Sequence, residues 1–352
     1  MKIKRFFLYL VLLAILASLA IIFTSNIDDF DLDKTRLVEI QFKANNNSLS
    51  GTLVLPKSET PNAIAIFIHG DGPQNRFSND SYLPLINTLV ENGIGVFSWD
   101  KAGVGESSGN WLTQGMEERA NEVQAALTLL REKYPAPITQ IGYLGFSQAG
   151  WVIPIAAAKS HPDFSIIIGG AINWRDQGAF YYRMRLNQTG ISHDEIEQHI
   201  TNQLKLDDDI FGATGSHDPK TSPDMTPDRF KFVVNNYLND SSKDIPLMSG
   251  RILAIWGSED LNVDAKNDAC RYKRLLANNP NSDVVLIKNG THGLLNASWF
   301  NYQLVEQWPW WKQTYFLYLG RDAYTSNSLA FIIDWIKHRQ VTVPDHWQPQ
   351  CS

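Results

Sequence analysis

The chain has 352 residues, enough for one large catalytic domain or two ordinary ones with a substantial core. Its 43% hydrophobic and 19% charged content excludes a disordered, collagen-like or disulfide-scaffold protein. The net charge of -6 leaves no basic surplus for phosphate contacts, so nucleic-acid binding is not expected. Its two cysteines, Cys270 and Cys351, are too few for a zinc cluster and are not spaced as a CxxC redox pair.

The N-terminal segment differs from the rest of the chain. Residues 6–23 form an uncharged run without glycine or proline, preceded by basic residues and followed by aspartates. As a helix, this run would rise about 27 Å, close to the hydrocarbon thickness of a bilayer. Positive charge before the run and acidic charge after it predict a cytoplasmic N-terminus and a body across the membrane.

We therefore expect residues 1–24 to be an uncleaved membrane anchor that leaves the protein extracytoplasmic. A cleavable signal peptide is the alternative, because Ser18-Leu19-Ala20 fits a small-x-small cleavage site; the mature protein would then be secreted or periplasmic. Export would allow Cys270 and Cys351 to pair, but two unpaired thiols are equally compatible with the sequence.

Short apolar runs rich in β-branched residues alternate with helical patterns through the body. The first two runs flank an asparagine turn at 45–47 and predict an antiparallel hairpin. The later runs lack polar alternation, which is typical of strands covered by helices on both faces. We predict an α/β fold with a mainly parallel sheet. The predicted strands are 37–43, 51–55, 63–68, 94–98, 141–144, 164–168, 252–256 and 284–287.

Two segments interrupt this alternation. Residues 173–250 are mostly polar and helical in pattern, which predicts a cap over the carboxyl ends of the strands. Residues 299–318 hold four of the eleven tryptophans, which predicts an apolar substrate wall or a membrane-facing surface; packing onto the core is the alternative. The predicted divisions after the anchor are a core of 35–172 and 251–340, the cap of 173–250 and a tail of 341–352.

The strongest local signal is the sequence Gly-Phe-Ser-Gln-Ala-Gly at 145–150, which directly follows the fifth predicted strand and opens a helix. A serine on such a turn, here Ser147, projects its hydroxyl above the sheet. The helix N-terminus that follows offers free N–H groups to a developing negative charge. Ala149 departs from the G-x-S-x-G pattern, whose second glycine comes one residue later here, at Gly150.

A nucleophilic serine needs a base, and the base needs an orienting acid. Position along the chain eliminates most of the eight histidines and leaves His292, in the loop after the eighth predicted strand. Ligands of open α/β sheets bind at this carboxyl end. The loop after the seventh strand supplies the acid: Asp260 is predicted, with Asp264 and Glu259 as alternatives.

The order Ser147, Asp260, His292, each after its expected strand, resembles that of the α/β-hydrolase superfamily over approximately 35–339. The sequence at 69–73 lies where that family places its second oxyanion donor. The loop at 99–109 is similar to the family's D-x-R-G-x-G-x-S loop, with lysine at position 101 where arginine is common. Residues 150–154 resemble the esterase, acyl-thioesterase and serine-aminopeptidase-like branches.

The resemblance implies an α/β-hydrolase fold, with about eight mainly parallel strands, helices on both faces and a helical cap. It also implies a serine hydrolase in which Ser147, His292 and Asp260 act together and the N–H groups of Gln148 and Asp71 hold the oxyanion. No metal or organic cofactor is expected. His69 is expected to be structural.

The expected substrate is a small carboxylic ester with an apolar acyl group. A peptide or aminoacyl amide is the second possibility, and a thioester is the third. A non-catalytic, membrane-tethered binding protein on a hydrolase scaffold is the alternative from another class.

Overall fold

The computed structural model describes residues 27–57, 60–135, 139–338 and 341–351. The predicted anchor, residues 1–24, lies outside these described residues. Within them, no helix combines the length and the apolar character that crossing a membrane requires.

Eight strands form one sheet in the order β1-β2-β4-β3-β5-β6-β7-β8. The pairs β1–β2 and β2–β4 are antiparallel, and the other neighbouring pairs are parallel. Each predicted strand corresponds to one observed strand, so the mainly parallel sheet is confirmed. The strands are β1 Thr35–Ala44, β2 Asn47–Pro56, β3 Ala63–Ile68, β4 Ile94–Trp99, β5 Gln140–Phe146, β6 Phe164–Ile168, β7 Arg251–Gly257 and β8 Ser282–Ile287.

The predicted hairpin is formed by β1 and β2. Its turn places Asn45 at φ 49° and Asn46 at φ 66°, in the left-handed region that asparagine tolerates better than other residues with a Cβ. The predicted turn extended one residue further, to Asn47, which instead begins β2.

Helices cover both faces of the sheet. One buried apolar cluster joins the sheet to α2, α3 and α7, and the other joins it to α1 and α10. The α-helices of the described part are α1 Leu83–Glu91, α2 Met116–Lys133, α3 Ala149–Ser160, α4 Trp174–Leu186, α5 His193–Phe211, α6 Pro227–Asn236, α7 Ala265–Leu275, α8 Ala297–Phe300, α9 Trp310–Leu319 and α10 Ser328–Lys337.

The predicted cap segment, 173–250, contains α4, α5 and α6 between β6 and β7. The N-terminus of each helix is capped by a side chain. Asn173, Ser192 and Thr226 accept hydrogen bonds from backbone N–H groups of the first turn. Such capping satisfies donors that an isolated helix end leaves unpaired. The segment follows β6 directly, so it starts at the carboxyl edge of the sheet.

The C-terminal tail is attached to the core at two points. Trp347 is buried and packs edge-on against Phe331 of α10, with the ring centroids 5.4 Å apart. Cys351 forms a disulfide with Cys270 of α7. The sequence left this pairing open, because the contact joins positions separated by 81 residues.

Candidate active site

Ser147 occupies the turn between β5 and α3, in a left-handed conformation with φ 53°. Its backbone N–H donates to the carbonyl of Ile168 at the end of β6, at 2.9 Å. A non-glycine residue in this conformation is strained and persists only where its surroundings fix it. The turn therefore holds Ser147 at the carboxyl edge of the sheet, as the sequence predicts.

Two glycines explain how Ala149 fits into this turn. A Cβ on Gly145 would lie 2.5 Å from the Cβ of Ala149, so the methyl of Ala149 occupies space that Gly145 leaves empty. A Cβ on Gly150 would lie 2.7 Å from the Cα of Gly170. The position where the backbone of the turn approaches a neighbouring segment is thus Gly150, which lies against Gly170. The methyl of Ala149, which departs from the G-x-S-x-G pattern, is accommodated because Gly145 has no side chain.

Asp260 and His292 are paired. The Nδ1 of His292 lies 2.7 Å from the Oδ2 of Asp260, whose side chain is fully buried. The other carboxylate oxygen accepts hydrogen bonds from the backbone N–H groups of Asn262 at 2.7 Å and Val263 at 2.9 Å. These bonds fix the carboxylate and leave its second oxygen to orient the imidazole.

The alternative acids have other partners. Asp264 is the N-cap of α7 and accepts a hydrogen bond from the backbone N–H of Asn267 at 3.1 Å. Glu259 is exposed and accepts from the hydroxyl of Ser258. Of the three carboxylates considered from the sequence, only Asp260 contacts His292 in the described structure.

Ser147 and His292 contact the same short segment after β6. Ser147 is bonded to the carbonyl of Ile168, and a Cβ on the next residue, Gly169, would lie 2.9 Å from Nδ1 of His292. No hydrogen bond joins the Ser147 hydroxyl to the imidazole in the described part of the chain. The structure thus brings the predicted acid and base into contact and the predicted nucleophile near them; their catalytic roles stay predictions.

The predicted oxyanion donors belong to adjoining loops. The side-chain amide of Gln148 donates to the Asp71 carboxylate at 3.1 Å, and a Cβ on Gly70 would lie 3.5 Å from the Cβ of Ser147. The loop after β3 therefore packs directly against the serine turn. The backbone N–H of Gln148 precedes the first hydrogen-bonded turn of α3, so it has no acceptor within the helix.

Buried cations hold the carbonyl groups of the loop after β3. Lys101 donates from Nζ to the carbonyl of Gly70 at 3.2 Å, and Arg119 donates to the carbonyl of His69 at 2.6 Å. In a trans peptide, the N–H points away from the C=O. Lys101 therefore directs the N–H of Asp71 away from itself, which is a positioning role that a single ammonium can perform without a bidentate contact.

Burial shapes the electrostatics of these groups. It lowers the pKa of Lys101 well below its usual range and also lowers the pKa of Arg119. Burial alone would raise the pKa of Asp71, but the charge and hydrogen bonds of Arg229 outweigh it and lower that pKa. Burial lowers the pKa of His69 to about 3, and its Nε2 lies 2.6 Å from the carbonyl of Trp99. His69 thus stays neutral, in agreement with the structural role predicted for it.

Ser147 opens onto a cavity of about 330 Å³ between the sheet edge and the cap. The core side contributes Asp71, Gln148 and Trp151. Segment 173–250 contributes Trp174 and Tyr181 of α4 and Arg229 of α6, and Leu304 also lines the cavity. The cavity is large enough for a small organic molecule, and its lining combines aromatic side chains with the polar groups of Gln148, Gln177 and Asn262.

Sequence reasoning missed two arginines at this site. Arg119 carried a signal, since it lies three residues after Met116 and four before Val123, on the buried stripe of α2. Arg229 carried no such signal, because a charged residue in the mostly polar segment 173–250 is normally expected to be solvated. It contacts Asp71 at 3.1 Å only because α6 folds back over the loop after β3.

Comparison with solved structures identifies the fold. The chain is similar to the Pyrococcus furiosus esterase Pf2001 in crystals of space group P212121, with 18% identity, a TM-score of 0.51, and coverage of 82% of this chain and 91% of that chain. In space group C2221, the same esterase gives 16% identity, a TM-score of 0.51, and coverage of 82% and 90%. No family model and no curated protein sequence matches the chain.

This similarity, at low sequence identity, is one of fold. The strand order, the turn carrying Ser147 after β5 and the helices on both faces agree with it. The chain therefore has the α/β-hydrolase fold, as the sequence predicts.

The contact between Asp260 and His292 predicts a measurable shift in the pKa of His292. Burial lowers the pKa of His292, but the charge and hydrogen bond of Asp260 outweigh burial and raise that pKa above 6.5. NMR of histidine-labelled protein should therefore show His292 titrating above pH 6.5. In Asp260→Asn the attraction is lost while burial remains, so the midpoint should fall.

Asp264→Asn provides the matched control, because Asp264 caps α7 and does not contact His292. Its His292 midpoint should equal that of the wild type. An unchanged midpoint in Asp260→Asn would contradict the pairing described here.

Proposed function

We propose that the protein is a serine hydrolase that cleaves carboxylic esters through an acyl-enzyme. The observation that carries this proposal is the Asp260–His292 hydrogen bond of 2.7 Å beside a serine held at φ 53° on the edge of a cavity. The similar Pyrococcus furiosus protein is called an esterase, which supports the same reaction class.

In the proposed first half-reaction, the Oγ of Ser147 attacks the ester carbonyl carbon while Nε2 of His292 accepts the hydroxyl proton. The resulting imidazolium is stabilised by the buried Asp260 carboxylate, which also holds Nδ1 in its protonated form. Collapse of the tetrahedral intermediate breaks the bond to the alcohol oxygen, which takes the proton from His292. An acyl group then remains on Ser147.

In the second half-reaction, water attacks the acyl carbonyl and gives its proton to His292. Collapse of this intermediate releases the carboxylic acid and returns the proton to Ser147. The same base serves both steps. No atom changes oxidation state, so the complete reaction consumes only the ester and water. The serine–histidine hydrogen bond often tightens only when substrate is bound, which agrees with its absence among the described side chains.

Negative charge on the carbonyl oxygen would be held by the N–H groups of Gln148 and Asp71. The positive end of the α3 dipole adds to this stabilisation. The tether from Lys101 to Gly70 orients the second donor before substrate binds, so the site needs little reorganisation during the reaction. Losing one such donor lowers turnover by about 100- to 1000-fold in other serine hydrolases.

The cavity walls favour an ester with an apolar group. Trp151, Trp174, Tyr181 and Leu304 present aromatic and aliphatic surface next to Ser147. Arg229 is the cation of this cavity, and it is already paired with Asp71 at 3.1 Å. An anionic substrate would have to compete with that carboxylate, whereas a neutral ester would not.

Substitution of the nucleophile tests the reaction. Ser147→Ala removes the attacking oxygen, so we expect loss of fluorophosphonate labelling and a fall in ester turnover of roughly 10⁴- to 10⁶-fold. The measurements are labelling followed by mass spectrometry and hydrolysis of p-nitrophenyl acetate. Ser298→Ala, in an exposed position at the start of α8, is the matched control and should retain both.

A substrate panel separates the alternatives. It should contain esters, thioesters and aminoacyl amides of equal acyl length. If the wild type neither reacts with fluorophosphonate nor turns over any of them, the proposed reaction is wrong, and the alternative of a non-catalytic binding protein is favoured.

We further propose that residues 6–23 anchor the protein in a membrane, with the body on the extracytoplasmic side. The charge asymmetry around this apolar run supports the orientation. The Cys270–Cys351 disulfide supports export, because disulfides persist mainly in oxidising compartments.

Fractionation tests the attachment. The full chain expressed in cells should remain with membranes after carbonate washing, and its two cysteines should react with maleimide only after reduction. A mature chain that begins near Ile21 and washes free would instead indicate a cleaved signal peptide. Thiols that react without reduction would contradict the disulfide.

A further inference from the structure

Helix α4 is a wall between two cavities. None of its residues is buried. One side faces the 330 Å³ cavity that contains Ser147. The other side faces a second cavity of about 140 Å³ within the cap. Trp174 and Gly178 line both cavities.

The wall is thinnest at Gly178. Residues 174, 178 and 181 follow one another at helical spacing on the side of Ser147, and residues 175, 179 and 182 do so on the cap side. Gly178 lies where the two rows of residues meet, and it has no side chain that could separate the two cavities. A Cβ built on Gly178 meets nothing within 4 Å, so there is open space at this position.

The cap cavity is lined mainly by apolar side chains, including Ile200, Leu204, Phe211 and Val233. Its charged groups already have partners. Arg175 makes paired hydrogen bonds of 2.8 and 2.7 Å to Asp208. Asp207 accepts from Gln203 at 2.9 Å, and burial raises its pKa. The cavity thus suits an uncharged apolar group and disfavours an anionic one.

We propose that the cap cavity binds the distal part of an apolar acyl chain whose carbonyl lies at Ser147 and which passes α4 at Gly178. This inference rests on the proposed ester hydrolysis and names its substrate class: neutral esters of medium-chain acids. A dry apolar cavity of about 150 Å³ holds a benzene molecule, so the observed 140 Å³ corresponds to about six carbons.

Chain-length profiles test this inference. For the wild type, kcat/KM for p-nitrophenyl esters should rise from acetate to octanoate by about fourfold per methylene, as expected for burial of each methylene. Gly178→Leu should fill the open space at this position, so hydrolysis of octanoate should fall at least about tenfold more than that of acetate. Arg185→Leu is the matched control and should keep the wild-type profile, since it places the same side chain at an exposed position of α4 that lines neither cavity.

The outcomes separate the two proposals. A flat wild-type profile, or equal losses for acetate and octanoate in Gly178→Leu, would overturn the acyl site while leaving the hydrolase intact. No hydrolysis of any ester and no fluorophosphonate labelling would overturn both. Circular dichroism of both variants checks that α4 still folds.

A second and independent observation concerns the surface of segment 299–318. Trp310 is 78% exposed, and Trp299 and Trp311 are each 45% exposed. Leu317, two helical turns after Trp310 in α9, is also exposed. We call these four residues the aromatic face. So much exposed tryptophan in one short segment marks an interaction surface.

The described chain begins next to this face. Phe30 packs against Phe316 of α9 with ring centroids 5.5 Å apart. The buried carboxylate of Asp29 accepts hydrogen bonds from the backbone and side chain of Arg321, at 2.7 and 2.8 Å. These contacts fix the start of the described chain, Ile27–Phe30, beside α9.

The sequence places a bilayer close to the same position. The apolar run ends at residue 23, and the four residues to Ile27 span at most about 14 Å. Tryptophan favours the interface between lipid and water. We infer that the aromatic face lies in the interfacial region of the bilayer to which residues 6–23 are proposed to attach.

Fluorescence quenching tests this inference on the full chain in nanodiscs that contain brominated phosphatidylcholine. The lipid should quench part of the tryptophan emission, and Trp310→Phe with Trp311→Phe should remove most of the quenched part. Trp347→Phe removes a buried tryptophan from the tail and is the control; it should leave the quenched part unchanged.

Flotation of the same samples on a density gradient separates the possibilities. A chain that floats but loses no quenched emission in the double variant would overturn the contact between the aromatic face and the bilayer while leaving the anchor intact. A chain that neither floats nor is quenched would overturn both the anchor and the contact.

Discussion

The hydrogen bond between Asp260 and His292 depends on contact between two loops that only glycines permit. A Cβ on Gly257 would lie 2.2 Å from the backbone of Gly290, so the ends of β7 and β8 touch at this point. The backbone of Glu259 then donates to the carbonyl of Gly290 at 2.9 Å. This contact fixes the spacing of the acid and histidine loops, and parallel pairing of β5 to β8 brings the serine turn to the same edge.

The loop after β3, the proposed oxyanion region, shows how a substitution in a motif can be compensated locally. Lys101 supplies one charge where arginine is common in the resembling family, and its ammonium is buried near the carbonyl of Gly70 and 4.5 Å from the centre of the Trp111 ring. The second cation, Arg119, takes the carbonyl of His69. Two neighbouring carbonyls are thus held by different side chains, so the loop is fixed without a bidentate contact.

Local sequence patterns predicted the strands and the serine turn, because each depends on residues close together in the chain. They also selected the loops that carry Asp260 and His292, since the carboxyl ends of parallel strands share one edge. They could not predict the Arg229–Asp71 ion pair, which joins positions separated by 158 residues. They also could not predict the two cavities that lie on either side of α4. Such contacts depend on how the cap folds back over the sheet, and no local periodicity encodes that.

The predicted cap segment, 173–250, contributes a charged group as well as apolar surface to the candidate active site. Arg229 lies at the start of α6 and contacts Asp71, whose own side chain accepts from Gln148 at 3.1 Å. Both proposed oxyanion donors therefore belong to residues linked, through one carboxylate, to a cap helix. A movement of α6 would change the position of Asp71 and, with it, the loop that Lys101 holds. Helix α6 contributes Val233 to the proposed acyl cavity and Arg229 to the contact with Asp71, so any movement of this helix would affect both.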